Sequence, residues 1–501
     1  MQLKGSFLAL ASTLNLVASS AANLAERNTG SLTFDDRTFV NKGLVGFGRI
    51  SGDAVDSYGE SLGGFGSAIA LKSFSKKKNG TYVFTLIGQP DRGHNTVTQT
   101  DYRARQHKFT LVFDPNQGSN TTENINSTYV STTLYKLNPT TFRGDTNFTT
   151  GLDPTAVRPA SGVQPDLPIA PSDNHISVDS EGLALVINTD YQWISDEYGP
   201  SIYYVSRSSG QIKYALKVPA AITPMQNGQT NFTSNAPPQS GRMPNQGFEG
   251  LTLDHNTKTL WACLQSATAQ DGGLQGKNTN RYSRLLAYNV SNPIKAKLIG
   301  EYVVPLPQSS KGKTQATSEI HVIDSTTFLI LARDGNGFGD TSSSSSFKSV
   351  DIISTKGATN IAGTQFDSPS TPIAPGGVLD SSITPVSYSS SFVNLIQPDQ
   401  LAKFGLQNGG AFDRTLIASK LESLALAPVG DAANPDDYFL FVVSDNDFIT
   451  ANGSQAAEDE SGNYVLQPYQ DEYALQHGTA DTQVFIYRVT LPGYAQKPLP
   501  N

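Results

Sequence analysis

The segment EGLALVINTDYQWISDEYGP, residues 181–200, decides how the rest of the chain is interpreted. It begins with Glu181, continues through a short apolar strand, turns, and returns along a second strand that ends at Asp196 and Glu197. In an antiparallel hairpin, the entrance of one strand and the exit of the next lie at the same edge of the sheet. The segment therefore predicts a hairpin with several carboxylates at one edge.

The same opening recurs at EGLTLD from Glu249, EIHVID from Glu319 and ESLALA from Glu422, and a second apolar strand follows each time. A further copy begins at Ser67, which stands where the others carry Glu. The starts at 181, 249 and 319 are about 70 residues apart. That spacing exceeds the ~40–50 residues of compact propeller repeats and implies insertions. We therefore predict an all-β fold, a β-propeller, with the recurring glutamates near its central channel.

We predict five blades and leave a sixth open, because the Pro/Ser/Gly-rich stretch from Ser368 to Gly410 has room for a degenerate one. The last blade shows only three strands. A strand from the N-terminal segment Thr38–Ile50 is expected to supply the fourth and to close the ring. Few segments have the apolar period of an amphipathic helix, which favours the all-β prediction.

The first 22 residues have the pattern of a secretory signal: Lys4, an apolar run from Phe7 to Val17, and small residues up to Ala22. The run is shorter than the ~20 residues of a membrane-spanning helix. The C-terminus, Tyr494–Asn501, lacks the hydrophobic tail of a lipid-anchor signal. We expect a signal peptide at residues 1–22, a propeller domain at 23–501, and a secreted protein without a membrane anchor.

Seven N-glycosylation triplets accompany this signal and favour passage through the secretory pathway. They begin at Asn79, Asn120, Asn126, Asn147, Asn231, Asn289 and Asn452. Seven glycans would restrict large contact surfaces, so we expect a monomer. The lone Cys263 excludes an internal disulfide and a cysteine-rich metal site.

The formal net charge of −8 argues against binding to nucleic acid or to an anionic membrane, both of which require a positive surface. The chain also lacks a Gly-x-Ser-x-Gly elbow, an HExxH motif and a phosphate-binding P-loop. These absences exclude several common hydrolase and nucleotide-binding classes.

Four segments together resemble the phytase-like family, also described as esterase-like activity of phytase. They are PDRGHN at 90–95, ISDEYGPSIYYV at 194–205, GFEGLTLD at 247–254 and LWACLQSATAQDGG at 260–273. The resemblance covers roughly residues 66–489 and implies a β-propeller that hydrolyses phosphate esters or related esters of small molecules. The acidic residues that match the family pattern are Glu181, Asp196, Glu197, Glu249, Glu319, Asp334 and Glu422.

Carboxylates around one channel cannot all remain ionised and unpaired, because like charges repel strongly in a poorly solvated site. They can bind a hard cation, pair with arginine, or retain a proton and act as a general acid. For the first case we predict a site for Ca²⁺ or another divalent cation. Its expected ligands are Glu181, Glu249, Glu319 and Glu422.

We predict catalytic roles for Arg92, His94, Asp196, Arg333 and Asp334. The two arginines would hold phosphate oxygens through their planar guanidinium groups, and His94 would donate a proton. A structural alternative stays open for the acidic residues. A glutamate at a strand entrance can bond backbone N–H groups, and Asp196 or Asp334 can form a turn.

Two other functions fit the same sequence. One is a metal-dependent lactonase or sugar-ester hydrolase on the same scaffold. The other is a non-catalytic extracellular propeller that binds a carbohydrate or a protein partner, because a fold does not fix a function.

Overall fold

A computed structural model describes residues 29–94, 101–116, 123–142, 147–170, 174–458 and 463–494. The predicted signal peptide and the acceptor Asn120 lie outside the described residues. Strands account for 47% of the residues and helices for 5%, which confirms the all-β prediction. No helix in the described ranges combines the length and the apolar character needed to cross a membrane.

Five antiparallel sheets, numbered here in chain order, contain most of the strands. Sheet 1 contains Ala68–Lys76, Tyr82–Gln89, Arg105–Phe113 and Ile125–Leu134. Sheet 2 contains Ser180–Leu185, Tyr191–Asp196, Ile202–Ser206 and Gln211–Ala215, with Lys136–Leu137 added in parallel. Sheet 3 contains Phe248–Asp254, Thr259–Leu264, Tyr282–Asn289 and Lys297–Pro305. Sheet 4 contains Ala316–Val322, Thr327–Arg333, Lys348–Ser354 and Ser387–Asn394.

Sheet 5 joins the two ends of the chain. It contains Lys420–Pro428, Asp437–Asp445, Thr482–Thr490, Arg37–Ile50 and Gly30–Phe34. The N-terminal strand Arg37–Ile50 pairs antiparallel with Thr482–Thr490, and Phe47 lies opposite Phe485. This strand is the one that the sequence predicts as the closing strand.

The remaining elements are short. Small sheets are formed by Ala156–Arg158, Leu167–Ala170 and His175–Ile176, by Met225–Gln226 with Gln229–Thr230, and by Gly453–Glu458 with Tyr464–Tyr469. Among the described residues, the α-helices are Pro398–Ala402 and Glu472–His477, and the 3₁₀ helices are Gly273–Gln275, Pro293–Lys295, Gln365–Asp367 and Pro375–Gly377. The stretch 368–410, in which we left room for a sixth blade, supplies the fourth strand of sheet 4.

One strand of each sheet is called its inner strand below. The inner strands of sheets 1 to 5 are, in order, Ala68–Lys76, Ser180–Leu185, Phe248–Asp254, Ala316–Val322 and Lys420–Pro428. They contact one another in a cycle. The inner strand of sheet 1 contacts those of sheets 2 and 5, and the contacts continue from sheet 2 to 3, 3 to 4 and 4 to 5. Glycine permits this close approach. A Cβ on Gly182 would lie 2.4 Å from Leu251 Cβ, and one on Gly250 would lie 2.8 Å from the backbone nitrogen of Ile320.

The apolar core is divided among the interfaces between consecutive sheets. Phe84 of sheet 1 meets Phe441 of sheet 5 edge-on, with ring centroids 4.9 Å apart. Trp261 of sheet 3 meets Phe328 of sheet 4 at 4.8 Å. Trp193 is buried between sheets 2 and 3. Each sheet is therefore stabilised by both neighbours, because burial of apolar surface is the main favourable contribution to folding.

Candidate metal centre

Bulges at the starts of three inner strands position the recurring glutamates. The pairing register shifts beside Glu181 in sheet 2, Glu249 in sheet 3 and Glu422 in sheet 5. A bulge adds one residue to one strand and redirects its side chain. The local sequences EGL and ESL suit this geometry, because a small residue follows each glutamate.

The carboxylates of Glu181, Glu197 and Glu249 form the first of three acidic groups. One oxygen from each lies within 4.8 Å of the others, and all three residues are buried. Glu197 is oriented by the N–H of Gly247, which donates to its Oε1 at 3.1 Å. Oxygen ligands lie about 2.3–2.6 Å from a Ca²⁺ ion, so two ligands of one ion are at most about 5 Å apart. The first group is compact enough to share a single cation.

Asp91 and Asp179 form the second group with Glu181. Their carboxylate oxygens also lie within 4.8 Å of one another. Asp91 follows the second strand of sheet 1, and Asp179 precedes Glu181 by two residues. Neither aspartate is among the four metal ligands that the sequence predicts. The Asp-x-Glu spacing before sheet 2 was a usable signal, because alternate residues of an extended chain share a side.

Several of these oxygens have no hydrogen-bond donor. Oε2 of Glu249 and Oδ2 of Asp179 are buried without a hydrogen-bond partner. Gln265 donates to the other oxygen of Glu249. Glu181 is itself only 6% exposed. A buried polar atom without a partner is costly, so these oxygens suit a ligand that the protein itself does not supply.

Lys420 pairs with two members of a third acidic group, which is formed by Asp91, Asp445 and Asp447. Its Nζ lies 2.8 Å from Asp445 and 3.2 Å from Asp447. The ammonium group therefore stands where a metal ion would otherwise balance these charges.

Glu422, one of the four predicted ligands, is paired with protein cations. It accepts a hydrogen bond from Nη2 of Arg333 and lies 3.7 Å from Nζ of Lys420. It belongs to the same electrostatic environment, because its charge raises the pKa of Glu181 and Glu249.

Burial and mutual repulsion raise the pKa of Glu181, Glu197, Glu249 and Asp445. For Glu181 the main cause is burial, followed by the charges of Glu249 and Glu197, and its pKa lies well above its usual range. Burial and the charge of Asp179 raise the pKa of Glu197 to about 8, against the opposing effect of Arg92. Burial raises the pKa of Asp445 to about 6. The folded protein must therefore hold either protons or cations at these oxygens.

The structure does not bring Glu319 into this cluster. Its Oε1 accepts the backbone N–H groups of Leu251 at 3.0 Å and of Ile320 at 2.8 Å. In its strand the register shift falls beside Ser318, one residue earlier than the glutamate. Glu319 therefore takes the structural role left open in the sequence, and the expected set of four ligands is not formed.

Two of the five predicted catalytic residues reach the cluster. The backbone N–H of Arg92 donates to Oδ1 of Asp179 at 3.1 Å, and its Nε lies 3.7 Å from Oδ2. Arg333 contacts the cluster through Glu422. His94 does not join it, because its Nε2 lies 3.4 Å from Asp471 and its ring packs on Tyr469 at 4.5 Å.

The other two predicted catalytic residues organise loops. Asp196 accepts the N–H groups of Asp179 at 2.8 Å, Tyr198 at 3.2 Å and Gly199 at 2.9 Å. Asp334 accepts N–H groups from the loop at 346–347, at 2.6 and 3.1 Å. Both aspartates therefore bond the backbone, as in the turn alternative.

A cavity among the five inner strands has a mainly apolar lining. Leu183, Leu251 and Leu424, two residues after the bulged glutamates, line a cavity of about 90 Å³. His255 and His321 lie in the same lining. Glu319 also belongs to this lining.

The described glycosylation acceptors lie at the surface. Asn79, Asn126, Asn147, Asn289 and Asn452 are exposed, and Asn231 is partly exposed. Glycosylation itself stays a prediction.

Comparisons with known proteins identify a matching family and a relative of this chain. The model of the family Phytase-like, described as "Esterase-like activity of phytase", matches residues 89–448. A protein of Arthroderma benhamiae, named "Uncharacterized secreted protein", is 37% identical over 466 residues, which are 84% of this chain and 89% of that protein.

Solved structures resemble the chain only distantly. The major Malassezia sympodialis allergen Mala s 1 shares 11% identity, with 92% of this chain and 93% of that chain covered and a TM-score of 0.27. Hydrazine synthase of Kuenenia stuttgartiensis shares 9% identity, with 85% and 70% covered and a TM-score of 0.27. Similarities at this level carry no argument about fold or function.

Proposed function

The chain belongs to the phytase-like family, and from this premise we propose that it is a hydrolase that cleaves phosphate esters or related esters at the carboxylate cluster, with a divalent cation as cofactor. The observation that carries the proposal is the first group. Glu181, Glu197 and Glu249 place three buried carboxylates within 4.8 Å of one another.

We infer that the five sheets are the blades of a five-bladed propeller. The cyclic contacts of the inner strands and the apolar interfaces between consecutive sheets support this architecture. The cluster then lies at one end of the central channel, where loops from several blades meet.

Glu181, Glu197 and Glu249 would hold the cation, and the unpartnered Oε2 of Glu249 fits this role. Carboxylate oxygens are the ligands that Ca²⁺ and Mg²⁺ prefer. A bound cation of this kind polarises an ester oxygen and lowers the pKa of a bound water.

Arg92 and Lys420 would bind the anionic part of the substrate. Their side chains are 14% and 24% exposed, whereas those of Asp179 and Glu422 beneath them are 2% and 3% exposed. A phosphate group that enters the cluster would therefore meet these cations first. The planar guanidinium of Arg92 suits two phosphate oxygens at once.

Water is the proposed nucleophile, because nearby hydroxyl groups are engaged by the backbone. Ser67 donates to the carbonyl of Gly64, and Ser180 donates to that of Pro90. The Cys263 thiol is buried, and burial raises its pKa to about 12.

A carboxylic ester or lactone is the second candidate substrate. The apolar cavity that begins at Leu183, Leu251 and Leu424 would accept a short hydrocarbon group next to the carboxylates. This feature favours an acyl ester, whereas Arg92 and Lys420 favour a phosphate.

We also propose that the protein is secreted, as a monomer. The predicted signal at residues 1–22 supports secretion, and the relative from Arthroderma benhamiae carries the word "secreted" in its name.

The test is a substrate panel with the purified protein after EDTA treatment and addition of Ca²⁺, Mg²⁺, Mn²⁺ or Zn²⁺. The panel contains 4-nitrophenyl phosphate, bis(4-nitrophenyl) phosphate, 4-nitrophenyl acetate and a δ-lactone. We expect cation-dependent turnover of a phosphate ester that Glu181→Gln abolishes. Glu319→Gln is the matched control and should keep activity, because glutamine retains the oxygen that accepts the two N–H groups.

Turnover of the acetate or lactone alone would select the second candidate. Absence of turnover with every cation and substrate would reject both hydrolase proposals and leave the non-catalytic binding function.

A further inference from the structure

We infer that the cluster binds two divalent cations rather than one, with Glu181 as their shared ligand. This inference deepens the proposed function and rests on it for the role of the ions. The first ion would lie among Glu181, Glu197 and Glu249, and the second among Asp91, Asp179 and Glu181.

The geometry supplies two sets of three carboxylates. Glu181 belongs to both groups, and the other members of each group differ. A carboxylate has two oxygens and can bind one ion with each. Two-metal hydrolytic sites place their ions about 3.5–4 Å apart, a spacing that a bridging carboxylate spans.

Each group also contains its own unsatisfied oxygen. Oε2 of Glu249 in the first group and Oδ2 of Asp179 in the second are buried without a hydrogen-bond partner. Glu249 is 4% exposed and Asp179 is 1% exposed. A single cation bound by the first group would contact Oε2 of Glu249 but would leave Oδ2 of Asp179 without a hydrogen-bond partner or a bound ion.

Carboxylates outnumber basic groups around the two groups. Eight carboxylates face one another there, at Asp91, Asp179, Glu181, Glu197, Glu249, Glu422, Asp445 and Asp447. Four basic groups act on them, at Arg92, Arg242, Arg333 and Lys420. The excess of carboxylates over basic groups favours bound cations.

The protein's own cations leave both positions available. Nζ of Lys420 lies 3.9 Å from Oδ2 of Asp91, and Nε of Arg92 lies 3.7 Å from Oδ2 of Asp179. Both distances are too long for a hydrogen bond. Lys420 instead bonds Asp445 and Asp447, which keeps the third acidic group from becoming a further metal site.

The experiment measures cations per chain in the full-length protein. After equilibrium dialysis against Ca²⁺, elemental analysis should give two ions per chain for the wild type and for the control Glu319→Gln. Glu249→Gln and Asp91→Asn should each leave one ion, and Glu181→Gln should lose both. Asp179→Asn is a second variant for the second group, and circular dichroism checks that each variant is folded.

Mn²⁺ provides an independent readout, because two Mn²⁺ ions at the expected separation couple magnetically. The electron paramagnetic resonance spectrum should show this coupling in the wild type and should lose it in Asp91→Asn. One ion in the wild type, or unchanged stoichiometry in Asp91→Asn and Asp179→Asn, would overturn the inference. Two bound ions without turnover would instead reject the proposed function and keep the inference, so the two failures are distinguishable.

Discussion

At the scale of single residues, Glu181 and Glu319 are both buried near the start of an inner strand, but different partners hold them. Backbone N–H groups of Leu251 and Ile320 donate to Glu319. The nearest charges to Glu181 are other carboxylates, Glu249 and Glu197 among them. One glutamate therefore stabilises the fold, and the other is available to a ligand at a cost in stability.

Glu319→Ala should destabilise the protein, because it leaves two buried N–H groups without an acceptor. Each unsatisfied group costs about 1–3 kcal/mol, so we expect a loss of about 2–6 kcal/mol in the free energy of unfolding. Urea denaturation measures it. The stabilisation by Ca²⁺ should stay as in the wild type, and its loss would place Glu319 among the ligands.

Glu181→Gln should have the opposite effects on stability and on stabilisation by Ca²⁺. In metal-free protein it should keep or raise the free energy of unfolding, because it removes a buried charge that its neighbours repel. The rise in Tm on addition of Ca²⁺ should disappear. A metal-free variant much less stable than the wild type would assign Glu181 a structural role.

The raised pKa values predict how stability depends on pH. Glu197 titrates at about 8 and Asp445 at about 6 in the folded protein, above their usual values near 4. Between pH 4 and 8 the folded state retains protons that the unfolded state releases. The free energy of unfolding of the metal-free protein should therefore fall as the pH rises through this window.

Cations displace the same protons, so stabilisation by Ca²⁺ should grow with pH. The measurement is the difference in Tm between Ca²⁺ and EDTA at pH 5, 6, 7 and 8. We expect the largest difference at pH 8. A difference that is largest at pH 5 would mean that the cation binds outside the cluster.

At the scale of strands, the sequence around Glu319 indicates that this glutamate lies differently from the other three. A glycine or serine stands between each of Glu181, Glu249 and Glu422 and the following leucine, whereas Ile320 follows Glu319 directly. Glu319 thus occupies the position after the bulge, and a shift of one residue along a strand reverses the side that a side chain faces.

The sequence does not indicate in the same way that Asp91 and Lys420 lie beside the glutamates. Asp91 follows a strand of sheet 1, and Lys420 begins sheet 5, more than 300 residues later. Local pattern predicts the strands and the polar edge of each hairpin. Which edges touch depends on the contacts among all five inner strands, which no single segment encodes.

The close approach of inner strands predicts a sensitive glycine. In Gly182→Ala the new Cβ would lie 2.4 Å from Leu251 Cβ and 2.6 Å from the carbonyl oxygen of Glu249. Sheets 2 and 3 must then separate, so both Tm and Ca²⁺ affinity should fall. Calorimetry measures both. Gly335→Ala is the control, because its Cβ would meet only Asp340, at 3.6 Å; an equal effect of both variants would reject the argument.

At the scale of the whole molecule, sheet 5 holds the two ends of the chain together. Phe39 and Phe47 of the N-terminal strand are fully buried in the core between sheets 4 and 5. Each interface between sheets depends on its neighbours, so opening one place in the cycle should weaken all of them.

Deletion of residues up to 50 should therefore abolish cooperative unfolding, because it removes Phe39 and Phe47 and leaves the edge of Thr482–Thr490 unpaired. Differential scanning calorimetry and near-ultraviolet circular dichroism measure this loss. Deletion up to Asp35 is the control, since among the described elements it removes just the outermost strand Gly30–Phe34. A sharp transition in the longer deletion would show that the remaining sheets fold on their own.

The pairing of Arg37–Ile50 with Thr482–Thr490 also sets the order of events during synthesis. The strand Arg37–Ile50 is synthesised more than 400 residues before its partner. Until that partner has been made, the edge of Arg37–Ile50 that faces it stays unpaired. A chain that stops before residue 482 would lack the partner of Arg37–Ile50 and could not complete sheet 5.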